Sequence, residues 1–269
     1  MKLIYTIILI LTLGLMHTGC EKIINIDTAD GSGKLVIEAI VTNRTGTCKV
    51  LLSTTKKFSA PNGFTGVTGA QVSITEVGGT VRDLAETAPG VYEAATFRGT
   101  PGRTYQLRVE HNGSVYTAES KMPAQTNIES VALISDVLFG SERNLAQVSF
   151  RDPAGIPNYY KFEQYINDRK TKNIFIRSDD YSDGNVIRLT LRHDYEDDED
   201  ELKIKTGDSI TIRMMCIDSA VYKYWFSLNQ SSTGQNQSAS PANPVTNIRG
   251  GALGYFSAHT LESKSFKVP

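Results

Sequence analysis

The segment YQLRVEHNGSVYTA (residues 105–118) indicates the fold of the N-terminal half of the chain. Apolar and polar side chains alternate before Asn112-Gly113, and a period of two is typical of strands with one buried face. Val115 and Tyr116, residue types that favour strands, follow the turn. Asn-Gly is the pair that a two-residue type I′ turn prefers, because both of its residues adopt positive φ. The segment therefore predicts a β-hairpin.

Further short strands surround this hairpin. The predicted strands of this region are residues 35–41, 50–55, 70–77, 80–86, 91–97, 105–109 and 115–118. Gly78-Gly79 supplies a second hairpin turn between two of them. Seven short strands at this spacing predict an immunoglobulin-like or transthyretin-like β-sandwich over residues 34–122.

A second β-rich domain is predicted over residues 127–269. Pro123 separates it from the sandwich, because proline cannot continue a central strand. Its predicted strands are 128–138, 146–150, 159–166, 174–176, 186–191, 209–216 and 265–268. Near residues 219–229 the apolar spacing becomes helical, with Asp218 or Ser219 as the N-cap. The sequence thus predicts a mainly β chain with one helix in its C-terminal region.

The N-terminus has the layout of a lipoprotein signal peptide. Lys2 precedes an apolar run over residues 3–16, and Thr18-Gly19-Cys20 follows it. His17 departs from the leucine that usually stands three residues before the lipidated cysteine. We expect residues 1–19 to be removed, Cys20 to carry the lipid, and residues 20–33 to form a tether. Several acyl chains on one residue give stable membrane anchoring; the alternative is an ordinary signal peptide with an incidental cysteine.

Charge and cysteine content exclude some classes of function. The formal net charge of -1 gives no reason to expect nucleic acid as a partner. Cys48 and Cys216 belong to no Cys-x-x-Cys pair, so zinc is not indicated. An exported protein can form disulfides, but we interpret both cysteines as buried free thiols. No cofactor is predicted.

Two acidic segments resemble calcium sites. The run Glu196–Glu201 could supply carboxylate oxygens, but we interpret it as a solvated loop between strands. The second segment is Asp179–Gly184. A calcium loop that began at Asp179 would need Asp or Asn at its third position and Glu at its twelfth, but these positions are Tyr181 and Thr190. A hairpin turn at Asp183-Gly184 explains that segment better, and no metal site is predicted.

Catalytic motifs are also missing from the sequence. His193-Asp194 could form two members of a catalytic triad, but no Gly-x-Ser-x-Gly or His-Glu-x-x-His pattern accompanies them. His111 and His259 lack metal-ligand spacing. The sequence therefore predicts a protein that is not an enzyme, with a cryptic hydrolase as an alternative, since triads are recognised by geometry and not by chain order.

The polar segment that follows the helix is a candidate contact surface for a partner. Prolines there favour extended backbone, side-chain amides are free to bond, and glycines allow close approach. The candidate residues are Pro241, Asn243, Pro244, Asn247, Arg249, Gly250 and Gly251. The alternative is that the segment crosses the sheet and closes the end of the domain.

Five pieces of the chain together resemble a family of Bacteroidetes lipoproteins, domain of unknown function 4249. They are CEK (20–22) with ID (26–27), KLVIE (34–38), PGVY (89–92), FRDP (150–153) with NYY (158–160), and NPVTNI (243–248) running into GGALGYF (250–256). Members are typically encoded beside TonB-dependent transporters. The resemblance implies a lipid-anchored outer-membrane accessory of such a transporter, on the cell surface or at the periplasmic face. A structural or adhesive surface lipoprotein is the alternative, and the substrate stays unknown.

Overall fold

The computed structural model describes residues 33–56, 63–138, 141–192, 203–232 and 243–269. Cys20 with the signal peptide, Pro241, the acidic run 196–201 and His193-Asp194 lie outside these ranges. The strands of the first half are β1 (Leu35–Thr42), β2 (Cys48–Thr54), β3 (Gln71–Glu76), β4 (Val81–Asp83), β5 (Ala85–Ala88), β6 (Val91–Ala94), β7 (Thr104–His111) and β8 (Ser114–Lys121). The second half comprises β9 (Ile128–Leu138), β10 (Ser141–Arg151), β11 (Tyr159–Ile166), β12 (Arg169–Lys170), β13 (Phe175–Ser178), β14 (Val186–Leu191), β15 (Ser209–Ile217), helix α1 (Ser219–Ser232), β16 (Ile248–Arg249) and β17 (Leu253–Lys267).

These strands form one large sheet and two smaller ones. The large sheet has the order β12-β11-β15-β17-β1-β2-β6-β5, and β13 also pairs with β11. A five-stranded sheet has the order β16-β8-β7-β3-β4, and a three-stranded sheet the order β14-β10-β9. The predicted fold class, mainly β with a helix near the C-terminus, is confirmed.

Two apolar cores lie against the large sheet. The first joins residues such as Ile37 and Leu52 of the large sheet to Ile74 and Leu107 of the five-stranded sheet. The second joins β11 and β15 to the three-stranded sheet, where Phe150 packs against Tyr160 and Phe162. Each core is therefore the interior of a β-sandwich, as expected when sheets bury their apolar faces against each other.

Strand β17 connects the two cores. It pairs in parallel with β1 through its first half and antiparallel with β15 through its second half. Phe256 and Ala258 lie in the first core, and Phe266 packs against the second. The domain range 34–122 predicted from the sequence therefore omits Phe256 and Ala258, which belong to the first core. The described residues from 33 onward cluster as one compact unit.

Local signals explain several boundaries. Asn112 and Gly113 have φ of 49° and 75°, so the hairpin predicted there is confirmed. The predicted strand 80–86 is divided at the buried Leu84, because β4 pairs with β3 while β5 pairs with β6. Asp218 caps α1, since its carboxylate accepts the N–H of Val221 at 2.9 Å. Within the part of the chain that the structure describes, no helix is long and apolar enough to span a bilayer.

Candidate functional site

A pocket of about 220 Å³ lies on the face of the large sheet opposite the two cores. It crosses β11, β15, β17 and β1, and Trp225 of α1 forms one wall. Because side chains alternate along a strand, the residues that face this pocket are the neighbours of core residues. The lining residues are Ile40, Thr42, Thr47, Lys161, Glu163, Arg213, Met215, Ile217, Trp225, Tyr255, Ser257, His259 and Leu261.

Helix α1 is held over this face by aromatic contacts. The Tyr222 ring lies 5.0 Å from Tyr159 of β11, and the Trp225 ring lies 5.2 Å from Tyr255 of β17. Val221 is fully buried in the same apolar cluster. These contacts fix the wall of the pocket, because aromatic pairs at such distances favour defined ring orientations.

Both carboxylate oxygens of Glu163 accept hydrogen bonds at the pocket wall. Its Oε1 accepts hydrogen bonds from the ammonium groups of Lys161 at 2.9 Å and Lys170 at 2.5 Å, and its Oε2 accepts one from the Tyr165 hydroxyl at 3.0 Å. Burial alone would raise the pKa of this carboxyl, but the two lysines outweigh burial and lower the pKa to about 2. Glu163 is therefore ionised at neutral pH.

Lys161 is a buried cation in this pocket. Its side chain is 9% exposed, and its Nζ lies 4.4 Å from the centroid of the Trp225 ring. Burial lowers the pKa of the ammonium, and the charge of Glu163 opposes that shift. Burying an ion pair costs desolvation energy that the pair often fails to recover. A buried charged pair with shifted pKa values at a pocket wall marks this pocket as a candidate functional site.

Ser257 and His259 meet beside these charges. The Ser257 Oγ lies 2.9 Å from His259 Nδ1, and both residues are buried. Burial and the nearby Lys161 lower the pKa of His259 to about 4, so the imidazole is neutral at physiological pH. Among the described residues, Ser257 is the hydrogen-bond partner of the His259 side chain. The pair therefore lacks the third, orienting group of a catalytic triad.

The candidate contact residues of the C-terminal segment divide into two groups. Asn247 binds the backbone of β17, because its Nδ2 donates to the Phe256 carbonyl at 2.8 Å and its Oδ1 accepts the Phe256 N–H at 2.9 Å. Gly250 has φ +102°, and an added Cβ would lie 2.6 Å from the Val115 carbonyl. Both residues therefore have roles inside the fold.

The remaining candidates lie nearer the surface. Asn243, Arg249 and Gly251 are exposed, and Pro244 is partly buried. Arg249 also belongs to the short strand β16, which pairs with β8. These four positions leave room for a partner, whereas Pro241 lies outside the described residues.

Three carboxylates converge elsewhere, in what we call the aspartate cluster: Asp152, Asp179 and Asp183. Their oxygens lie within 4.8 Å of one another. Each carboxylate accepts a backbone N–H, from Gly184, Asn158 and Gly155 respectively. The cluster therefore has a structural explanation as a set of turn-closing hydrogen bonds, and it is also the arrangement among the described residues that could hold a cation.

Cys48 and Cys216 are free and buried, as predicted. Burial raises the pKa of the Cys48 thiol to about 12 and also raises that of Cys216. A thiol with a raised pKa is a poor nucleophile and a poor metal ligand at neutral pH.

Sequence reasoning missed the pocket because its residues come from five separate elements. One signal was present in the strand YYKFEQYI (159–166), where Lys161 and Glu163 interrupt an apolar run on the same face. Two charges on one face of a strand that is otherwise buried indicate a lined cavity or an ion pair. The neighbouring strands could not be identified from spacing alone.

Residues 21–265 match the family model of the domain of unknown function DUF4249. The match covers most of the chain, so the chain belongs to this family. The sequence matches none of the curated proteins with which it was compared.

Proposed function

We propose that this chain is a lipid-anchored outer-membrane protein that binds a ligand and serves as a non-enzymatic accessory of a TonB-dependent uptake complex. The observation that carries the binding role is the buried Lys161–Glu163 pair beneath Trp225, on a pocket that is partly open to solvent. Perturbed ionisable groups in a cleft are a recognised sign of a functional site.

The anchoring part of the proposal rests on the sequence Thr18-Gly19-Cys20 after an apolar run. The transporter part rests on the resemblance to Bacteroidetes lipoproteins described above. A binding role is favoured over a hydrolytic one because His259, with a pKa of about 4, is a weak base and has no orienting carboxylate bonded to it among the described residues.

The surface proposed to contact the transporter is the exposed part of the C-terminal segment, at Asn243 and Arg249. These side chains are exposed, whereas Asn247 is engaged with Phe256 in the fold. Substituting the two exposed residues should leave the core intact, because surface changes away from buried features usually alter stability by less than about 0.5 kcal/mol.

Copurification from native outer membranes tests the proposal. The chain should elute with a TonB-dependent transporter, and mass spectrometry should find lipid on Cys20. The double variant Asn243→Ala/Arg249→Ala should reduce the recovered transporter while thermal unfolding stays unchanged. An unmodified, secreted chain, or a lipidated chain that elutes alone in every mild detergent, would favour an independent surface protein instead.

A further inference from the structure

We infer that the pocket beside Lys161 binds a small molecule that carries a carboxylate and an apolar or aromatic group. The inference rests on the proposed function only in taking this pocket as the binding site, and it requires no transporter. It follows from the charge balance of the pocket, from the unused donors of Lys161 and from the size and lining of the cavity.

The charge balance favours an anion. Glu163 already accepts hydrogen bonds from two ammonium groups and one hydroxyl, so it has little capacity left for a cationic ligand. Two cations, Lys161 and Arg213, line the cavity together with this one carboxylate, and Lys170 binds Glu163 from outside the lining. The other nearby carboxyl, Glu38, influences Tyr255 but does not line the cavity. A second negative charge would therefore be attracted to this wall.

Lys161 supplies the unused donors. An ammonium has three N–H groups. Among the described residues Glu163 is the hydrogen-bond partner of Lys161 and the Trp225 ring is its cation–π partner, which leaves at least one N–H without an acceptor. The residue is 7% exposed, so bulk water has little access to the remaining donors. A carboxylate can accept a charge-assisted hydrogen bond there, and such bonds are about twice as strong as neutral ones.

Apart from its charged groups the pocket is small and mainly apolar, and its other polar side chains are Thr42, Thr47, Ser257 and His259. Met215, Leu261 and Ile217 line its floor beside the rings of Trp225 and Tyr255. The volume of about 220 Å³ equals roughly seven waters at their share of liquid volume. A single ring or a short aliphatic chain fits this space, whereas a long oligosaccharide or a folded peptide does not.

The fluorescence of Trp225 provides a direct assay, because it is the one tryptophan of the chain and lies in the pocket wall. We would titrate the detergent-purified mature protein with phenylacetate and, separately, with phenylacetamide, its neutral analogue of nearly equal shape. Phenylacetate should change the emission saturably. Phenylacetamide should bind about tenfold more weakly or worse, since it lacks the charge that Lys161 recognises.

Two variants measure what Lys161 and Arg213 each contribute to phenylacetate binding, and a third is the control. Lys161→Met keeps the unbranched stem but removes the charge, and it should weaken phenylacetate binding by about tenfold or more. Arg213→Gln changes an exposed residue, so it should fold normally and weaken phenylacetate binding less. Lys121→Gln, at an exposed residue of β8 away from the pocket, is the control and should bind as the wild type does.

Equal binding of phenylacetate and phenylacetamide would overturn the inference, as would unchanged phenylacetate affinity in Lys161→Met. Either result would leave the proposed accessory function standing, because that function does not require the ligand to be an anion. If Lys161→Met does not fold, the comparison of phenylacetate with phenylacetamide on the wild-type protein still tests whether the pocket prefers an anion. The absence of any saturable response to either probe would also overturn the inference, while copurification with a transporter would be judged separately.

Discussion

Replacing Asn247 with alanine should destabilise the fold, although the position was a candidate for partner contact. The substitution removes two hydrogen bonds and leaves the Phe256 N–H and C=O without their side-chain partner. Phe256 is fully buried. Leaving a buried polar group unbonded costs about 1–3 kcal/mol. Asn247 itself is only partly buried, so water can replace part of the loss, and we expect about 2 kcal/mol in total.

Thermal unfolding measures this loss. For a unit of this size, about 1 kcal/mol lowers the unfolding temperature by roughly 2–4 °C, so the expected decrease is about 4–8 °C. Asn243→Ala is the matched control, since Asn243 is an exposed asparagine of the same segment, and it should unfold as the wild type does. Asn247→Asp should lose at least as much as Asn247→Ala, because it places a carboxylate oxygen against the Phe256 carbonyl.

Unfolding of Asn247→Ala within about 1 °C of the wild type would contradict this expectation, because that change is too small for a lost pair of buried hydrogen bonds. In that case the Asn247 amide would be available to a partner. A simultaneous loss of the copurifying transporter would then assign the whole segment to the contact surface.

Three further predictions concern backbone, pH and metal. Gly254→Ala should lower the free energy of urea unfolding by about 3 kcal/mol or more, because Gly254 has φ +97° and an added Cβ would lie 2.0 Å from the Ile37 carbonyl oxygen. Gly251→Ala is the control: Gly251 has φ +89° but open space around it, so the loss should be about 1 kcal/mol. The pKa of His259 is about 4 in the fold and 6.5 ordinarily, so the unfolded chain takes up the proton first as pH falls. The stability that depends on neutral His259 is therefore fully present above pH 6.5, and up to about 3 kcal/mol of unfolding free energy should be lost as pH falls towards 4. His259→Gln should show a weaker pH dependence of unfolding over this window. Calcium and EDTA should leave thermal unfolding unchanged, because the three carboxylates of the aspartate cluster offer fewer oxygens than the roughly six to eight that calcium takes, and each already accepts a backbone N–H; a chelator-sensitive transition would contradict this.

The sequence predicts well what local patterns control. The hairpin at Asn112-Gly113 and the helix after Asp218 are encoded by turn and capping residues that lie within a few positions of each other. The parallel pairing of β1 with β17 has no such signal, because it joins the two ends of the described chain. The pocket depends on that pairing, so only the charged pair Lys161 and Glu163 within an apolar strand could have indicated it.

The same pairing decides whether the first sandwich can fold alone. Fragment 34–122 contains four strands of the large sheet and four of the five-stranded sheet, but it lacks β17, the neighbour of β1, and β16, the neighbour of β8. It would expose an edge of β1, and it would lose the buried side chains of Phe256, Ala258 and Ile248 from the core. We therefore expect this fragment to show no cooperative urea transition, and we expect addition of a peptide of residues 243–269 to restore one. A sharp transition in the fragment alone would mean that the large sheet is stable without its C-terminal strand, and that the two cores are independent.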